Sequence, residues 1–194
     1  MLYALSRVVR RADVESAKRD QQFRRAIPLF AVVPALGAMA RHAHDNRCST
    51  WDCASGSIVW RVGAFFACAE YFVYFIHARL LHYHGLAAHH VHHAHRRVRV
   101  DVAYAFSPPD GFLQGVAVTA AYVCVPIPYA WFVAFEAFVG MWTIFIHLES
   151  TPRAPWPLLG PGYHAVHHEM NWYNFGFVTR FQDWLHGTLR APRA

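Results

Sequence analysis

The sequence predicts an all-α, integral membrane helical domain of about four apolar segments, capped on one side by a histidine-rich layer. Three observations predict it. The 194 residues are 55% hydrophobic and only 15% charged, where a soluble domain carries about 25% charged residues. The apolar residues gather into long runs parted by short polar stretches. The 15 histidines concentrate in two dense groups, one between those runs and one after them. No internal repeat or low-complexity tract divides the chain. A single domain over 26–194, long enough for a substantial core, is expected to follow a basic segment over 1–25.

The elements follow in order. Arg7, Arg10, Arg11, Lys18, Arg19, Arg24 and Arg25 precede the first apolar run and supply much of the formal net charge of +6. A basic flank beside an apolar run marks the cytoplasmic face of an anionic membrane and argues against a nucleic-acid site. The segment is too long for a signal peptide, and no small-residue cleavage site follows it. The first apolar run (26–40) is short of the roughly 20 residues a span needs. It also contains Pro28 and Pro34, which predicts a kinked or re-entrant segment. Cys48 and Cys53 flank a polar loop, either as a lumenal disulfide or as two free thiols. The second run (57–76) has full length but holds Arg61 and Glu70, which are expected to face a protein interior. Its aromatic end, Tyr71, Phe72, Tyr74 and Phe75, either lines an apolar slot or packs and faces lipid. The run from Phe112 to Ile146 is broken by "PIP" at 126–128 and predicts a helical hairpin. Cys68 and Cys124 lie inside apolar runs and read as buried small hydrophobes. The tail "HGTLRAPRA" is expected to fray.

Topology adds a constraint. With the amino terminus cytoplasmic, two passes return the chain to the cytoplasm just before His77. The stretch 77–110 then carries Arg96, Arg97 and Arg99, as the positive-inside bias prefers. The hairpin makes two more passes and delivers His147 and the 164–168 group to the same face. Both histidine groups are therefore expected in one cytoplasmic cap.

"HYHGLAAHHVHHAH" (82–95) holds seven histidines in fourteen positions, and "HAVHH" (164–168) holds three more. His89, His92 and His93 repeat the H-x2-H-H spacing of His164, His167 and His168. Positions i, i+3 and i+4 share a helix face, so each motif aims three imidazoles at one place. His77 and His82 are spaced H-x4-H, which does not share a face in a regular helix and predicts a bend or approach from two directions. His147 stands alone at the end of an apolar run. Neutral imidazole suits iron, zinc and copper. Eight or nine of them exceed one tetrahedral zinc site and suit two ions, where histidine-only ligation with open positions allows dioxygen chemistry at iron. A loose histidine-rich metal-binding tract is the bland alternative, and the recurrence of H-x2-H-H argues against it. His42, His44 and His186 read as ordinary surface or core residues, and His84, His90 and His95 as neighbours of the ligands.

This order of motifs resembles the fatty acid hydroxylase/sterol desaturase superfamily of membrane-bound non-haem di-iron enzymes. "FSPPDGFLQG" (106–115), "WTIFIH" (142–147) and "HAVHHEMNWYNFGFVTRFQDWLHGT" (164–188) are similar to its sterol C-5 desaturase (lathosterol oxidase) branch. Ser107 stands where that pattern has histidine, and "HLES" follows the hairpin in place of "HDG". The resemblance implies two iron ions held by His77, His82, His89, His92, His93, His147, His164, His167 and His168. It implies O2 as co-substrate, a sterol or other lipid as substrate, and electrons from NAD(P)H through a reductase and cytochrome b5. For a eukaryotic chain it implies the endoplasmic reticulum membrane, with the histidine cap cytoplasmic. Zinc outcompetes ferrous iron for nitrogen ligands and is expected on purification. Beside C-5 desaturation stand fatty-acid or methyl-sterol hydroxylation, a catalytically silent relative, and a non-enzymatic histidine-rich membrane metal-binding or transport protein. Transport requires a polar path, for which Arg61, Glu70, Gln114 and Glu136 are sparse.

Overall fold

The computed structural model describes Gly37, Arg41 and residues 55–84, 87–125, 127–149 and 154–192. These residues form helices, with one isolated antiparallel bridge between Leu158 and Thr179. Helix α1 (Ser55–Phe75) continues without a break into a π-helical segment (Ile76–Tyr83). Next come α2 (Ala87–His93), α3 (Pro108–Cys124), α4 (Tyr129–Ile146), α5 (Pro161–Met170) and α6 (Phe181–His186).

Local chemistry sets the boundaries. Ser107 caps α3, its hydroxyl accepting from the Asp110 amide at 3.4 Å, and Pro108 opens the first turn, where its missing N–H costs nothing. The proline pair at 126 and 128 separates α3 from α4, giving the expected hairpin. Asn171 ends α5 in the left-handed conformation (φ 61°), a common helix stop.

The core lies between α1 and α3. Phe65, Ala69, Val73, Ile76 and Leu81 pack against Ala117, Val118, Ala121 and Tyr122, with Ile127 and Phe132 closing the cluster. The three alanines are fully covered, which lets the helices approach closely. Two helical stretches, Ile58–Tyr83 and Tyr129–Ile146, are long and apolar enough to cross a membrane. Few of their residues are buried, and Val59, Trp60, Tyr71, Phe75, Val133, Met141 and Ile144 point outward. The first expected run and both cysteines of the polar loop fall outside the described residues, apart from Gly37.

Several sequence expectations need correction or gain detail. Glu70 is buried as expected, and its carboxylate accepts from the Val178 amide (3.0 Å), the Thr179 amide (2.8 Å) and the Thr179 hydroxyl (2.6 Å). Arg61 is only half-buried, its guanidinium 5.9 Å from the Trp60 ring. Cys124 is exposed and Cys68 half-buried, because the α1–α3 seam puts alanines at its centre and leaves both thiols towards its edge. The tail does not fray over 186–192. The Asn174 side chain donates to the Arg190 carbonyl and accepts from the Arg190 amide, each at 2.8 Å, and the Thr188 hydroxyl donates to Asp183 at 2.7 Å.

Candidate metal centre

A change of helical pitch brings His77 and His82 together. The π-helical segment bonds i to i+5, as when the His84 amide donates to the Arg79 carbonyl at 3.0 Å. The H-x4-H spacing is also i to i+5, so the two imidazoles fall on one face with ring centroids 5.0 Å apart. The expected bend is replaced by a wider helical turn. Both H-x2-H-H motifs lie on short α-helices, α2 and α5, and His147 caps the C-terminal end of α4.

All nine histidines converge. His77, His82, His89, His93 and His167 form one set, and His92, His147, His164 and His168 form a second; within each set the nearest ligand atoms lie within 4.8 Å of one another. The two motifs are exchanged between the sets. From α2, the i, i+4 pair His89 and His93 enters the first set and His92 enters the second. From α5, the pair His164 and His168 enters the second set and His167 enters the first.

The ring nitrogens show what these sets can hold. Carbonyl oxygens only accept, so the imidazole Nδ1–H must donate wherever it meets one. His77 donates to Phe175 (2.9 Å), His147 to Thr143 (2.7 Å), His167 to Tyr173 (2.8 Å) and His168 to the backbone of His95 (3.0 Å). His89 donates to the Asp110 carboxylate at 2.8 Å. Each of these neutral rings then presents a bare Nε2 lone pair. The Nε2 atoms of His77 and His89 nevertheless face each other at 3.1 Å, and His147 and His168 bring theirs to 3.2 and 3.1 Å from His164 Nε2. His82 Nε2, His92 Nδ1 and His167 Nε2 are buried without a hydrogen-bond partner. Facing lone pairs repel unless a cation lies between them. Nitrogens about 2.1 Å from a metal sit about 3.0 Å apart across a right angle and about 3.4 Å across a tetrahedral one. The donor set fits two nitrogen-bound transition-metal ions.

Electrostatics agree. Burial first, then neighbouring imidazoles, holds His89, His92, His93, His164 and His167 well below the ordinary histidine range. Burial lowers His147 to about 4 and His168 to about 3. The rings are therefore neutral near pH 7, the protonation state a metal requires.

Beneath the histidines lies a cavity of about 460 Å³ bounded by α1, α3 and α4, within the size range of small-molecule sites. His77, His89, His92, His147 and His164 reach its wall, so both sets border it. From the aromatic end of α1, Val73 lines this cavity, whereas Tyr71, Phe72, Tyr74 and Phe75 do not. Tyr71 and Phe75 point outward, and Tyr74 packs on Phe175 with its hydroxyl 3.1 Å from that of Thr188.

His84 and His90 are exposed and take no part, whereas His95 contributes through its carbonyl. His186 is exposed and stacks on Tyr74 at 4.9 Å; His42 and His44 lie outside the described residues. Sequence reasoning missed Asp110. Its signal was an acid in the first turn of an otherwise apolar helix; the histidine it meets lies 21 positions earlier in the chain. The loop after α5 holds the orienting carbonyls of Tyr173 and Phe175. Asp183 fixes it by accepting from the Phe175 and Gly176 amides, both at 2.8 Å. A Cβ at Gly176 would collide with the Thr179 carbonyl, which explains the glycine.

Comparison with known proteins places this geometry in context. The fatty acid hydroxylase family model matches residues 62–188. A Delta(7)-sterol-C5(6)-desaturase of Nicotiana tabacum is 28% identical over 175 residues, covering 87% of this chain and 64% of its own length. The Delta(7)-sterol 5(6)-desaturase of Saccharomyces cerevisiae is 32% identical over 126 residues, 62% of this chain and 33% of its own. One from Candida albicans is 29% identical over 145 residues, 73% of this chain and 37% of its own. The chain thus spans less than two thirds of the length of these relatives. No solved structure matches it.

Proposed function

The chain belongs to the fatty acid hydroxylase family, and from that premise we propose that it is a membrane-bound non-haem di-iron oxidoreductase that uses O2 to desaturate a sterol. The observation that carries this reading is the convergence of two all-imidazole sets on the wall of one apolar cavity. His77, His82, His89, His93 and His167 would hold one ion, and His92, His147, His164 and His168 the other. When bound, the iron pair supplies activation of dioxygen for attack on an unactivated C–H bond. Desaturation removes two hydrogens from the lipid. With two electrons and two protons from outside, O2 then leaves as two waters.

The chain's own residues set the conditions. The Nδ1–H donations fix ring tautomers and aim Nε2 inward. The cavity keeps the lipid in apolar surroundings beside the histidines. The apolar stretches Ile58–Tyr83 and Tyr129–Ile146 support a reading in which the cavity lies at membrane level, and the proposal sets the histidine layer on the cytoplasmic side, at the endoplasmic reticulum if the chain is eukaryotic. Arg96, Arg97 and Arg99 are exposed next to that layer and suit an acidic electron donor such as cytochrome b5, fed by NAD(P)H.

The test is lipid profiling of a host lacking sterol C-5 desaturase that expresses this chain, with His92→Ala as control. A new ring double bond that disappears in the variant is the expected result. Hydroxylated acyl or methyl-sterol products would move the assignment to a hydroxylase, and unchanged product formation by His92→Ala would refute the ligand set.

A further inference from the structure

The cavity is elongated along α4. Glu136, Val139, Gly140, Thr143 and His147 reach it at spacings of three and four residues, one face of the helix. His147 belongs to a metal set at one end. Glu136 lies eleven residues earlier, roughly 16 Å along the axis. Gly111 and Gly115 on α3 also line it.

Most polar groups along it are already engaged within the protein. The Thr143 hydroxyl donates to the Val139 carbonyl at 2.9 Å, and the Tyr104 hydroxyl donates to the Gly140 carbonyl at 2.6 Å. Gln114 reaches the Asp110 carboxylate at 3.5 Å. Glu136 differs: its Oε1 is buried and has no hydrogen-bond partner among the described residues. A carboxyl oxygen held in an apolar wall without a donor is costly, and such atoms in native structures generally answer to a ligand, an ion or a water. Glu136 Oε1 can only accept from a donor, and none among the described residues reaches it.

We infer that Glu136 accepts a hydrogen bond from a hydroxyl at the distal end of the bound lipid, making this cavity selective for a lipid with a hydroxyl remote from the reacting carbon. The inference rests on reading the cavity as the lipid site of the metal centre. The distance also decides which hydroxyl is meant. In a sterol with its C5–C6 bond at the histidines, the 3-hydroxyl lies within one ring of the reacting carbons and cannot reach Glu136. The recognised group is therefore at the side-chain end, or at the far end of an acyl chain.

Binding separates this claim from turnover. The full chain, loaded with zinc in lipid nanodiscs, is titrated with two matched pairs: lathosterol and its side-chain-hydroxylated analogue, and hexadecanol and the corresponding terminal diol. The hydroxylated member of one pair should bind wild type up to about tenfold more tightly, as expected for a buried hydrogen bond. E136L should bring that ratio to about one, and E136Q, which still accepts, should keep part of it. Methylating the distal hydroxyl should give the same loss in wild type, independently of any variant's folding. Absence of a preference in both pairs, or a preference that survives E136L or the methyl ether, overturns the inference. A Glu136-dependent preference confined to the diol pair supports it while removing the sterol reading of function.

Discussion

Replacing Asp110 by leucine should weaken one metal ion and spare the other. Asp110 is fully buried, His89 is 1% exposed, and the carboxylate accepts from His89 Nδ1 at 2.8 Å. This hydrogen bond holds the ring with Nε2 directed at His77 and His93, which lie 3.1 and 3.0 Å away. Leucine fills similar space but removes the acceptor, leaving a buried N–H unpaired and the imidazole less basic. Loss of such an outer partner costs about 10- to 100-fold in metal affinity, or about 1.4–2.7 kcal/mol. His89 belongs to the five-histidine set, so only that equivalent should weaken. Asp110→Asn retains a carbonyl acceptor and should lose less than about tenfold. Chelator competition on purified protein with zinc or cobalt, resolving two equivalents, measures both. Leucine binding both ions within about twofold of wild type would refute the role assigned to Asp110.

Two further outcomes follow from buried groups elsewhere. Glu70→Ala removes the acceptor for two amides and a hydroxyl; at about 1–3 kcal/mol for a buried donor left unpaired, and with Thr179 half-buried, the loss should be about 2–4 kcal/mol. Unfolding in detergent reads it, and an unchanged midpoint would contradict the pinning of the C-terminal loop to α1. Second, the metal-free protein should be most stable above about pH 6.5, the ordinary histidine value. Below it the unfolded chain binds protons that His89, His92, His93, His147, His164, His167 and His168 refuse while folded, because burial lowers their values. These seven outnumber Asp110 and Asp183, whose values burial raises to about 8 and about 6 and which act the other way, so stability falls as pH drops. Denaturation compared at about pH 7.5 and about pH 5 checks the sign; greater stability at the lower pH would overturn it.

The clustering of the histidines was legible because chemistry repeats in the sequence. H-x2-H-H occurs twice, and helical spacing alone predicts that each copy converges. The hairpin was legible because prolines interrupt an apolar run. What escaped were features in which distant segments share one atom. The Asp110–His89 bond spans 21 positions, and the Glu70–Thr179 bond spans 109; no local periodicity encodes either. The tail was misread because its hydrogen bonds go to Asn174 and Asp183, polar residues with no apolar pattern to announce a packed segment. The aromatic end of α1 was ambiguous for a different reason. Lipid-facing and cavity-facing aromatics obey the same composition rule, and only the rotation of the helix, set by Val73 and His77 pointing inward, distinguishes them.

The exchange of histidines between the two sets gives the H-x2-H-H spacing a reason that convergence alone does not. Three imidazoles at i, i+3 and i+4 aimed at a single ion would need only one such helix. Here the i, i+4 pair stays with one set and the i+3 residue crosses to the other, on α2 and α5 alike. Each helix therefore bridges both sets, and neither set can form from one helix. His77 and His82, brought onto one face by the π-helical pitch, complete the first set, and His147 at the end of α4 completes the second. Elements from both apolar helices are thus tied to the same pair of short helices. The cavity between α1 and α4 inherits its roof from that tie, since His77 enters it from the π-helical continuation of α1 and His147 from the C-cap of α4. A metal-dependent change in the spacing of α1 and α4 would accordingly alter the cavity itself, making occupancy of the histidine sets and binding of a lipid beneath them linked equilibria.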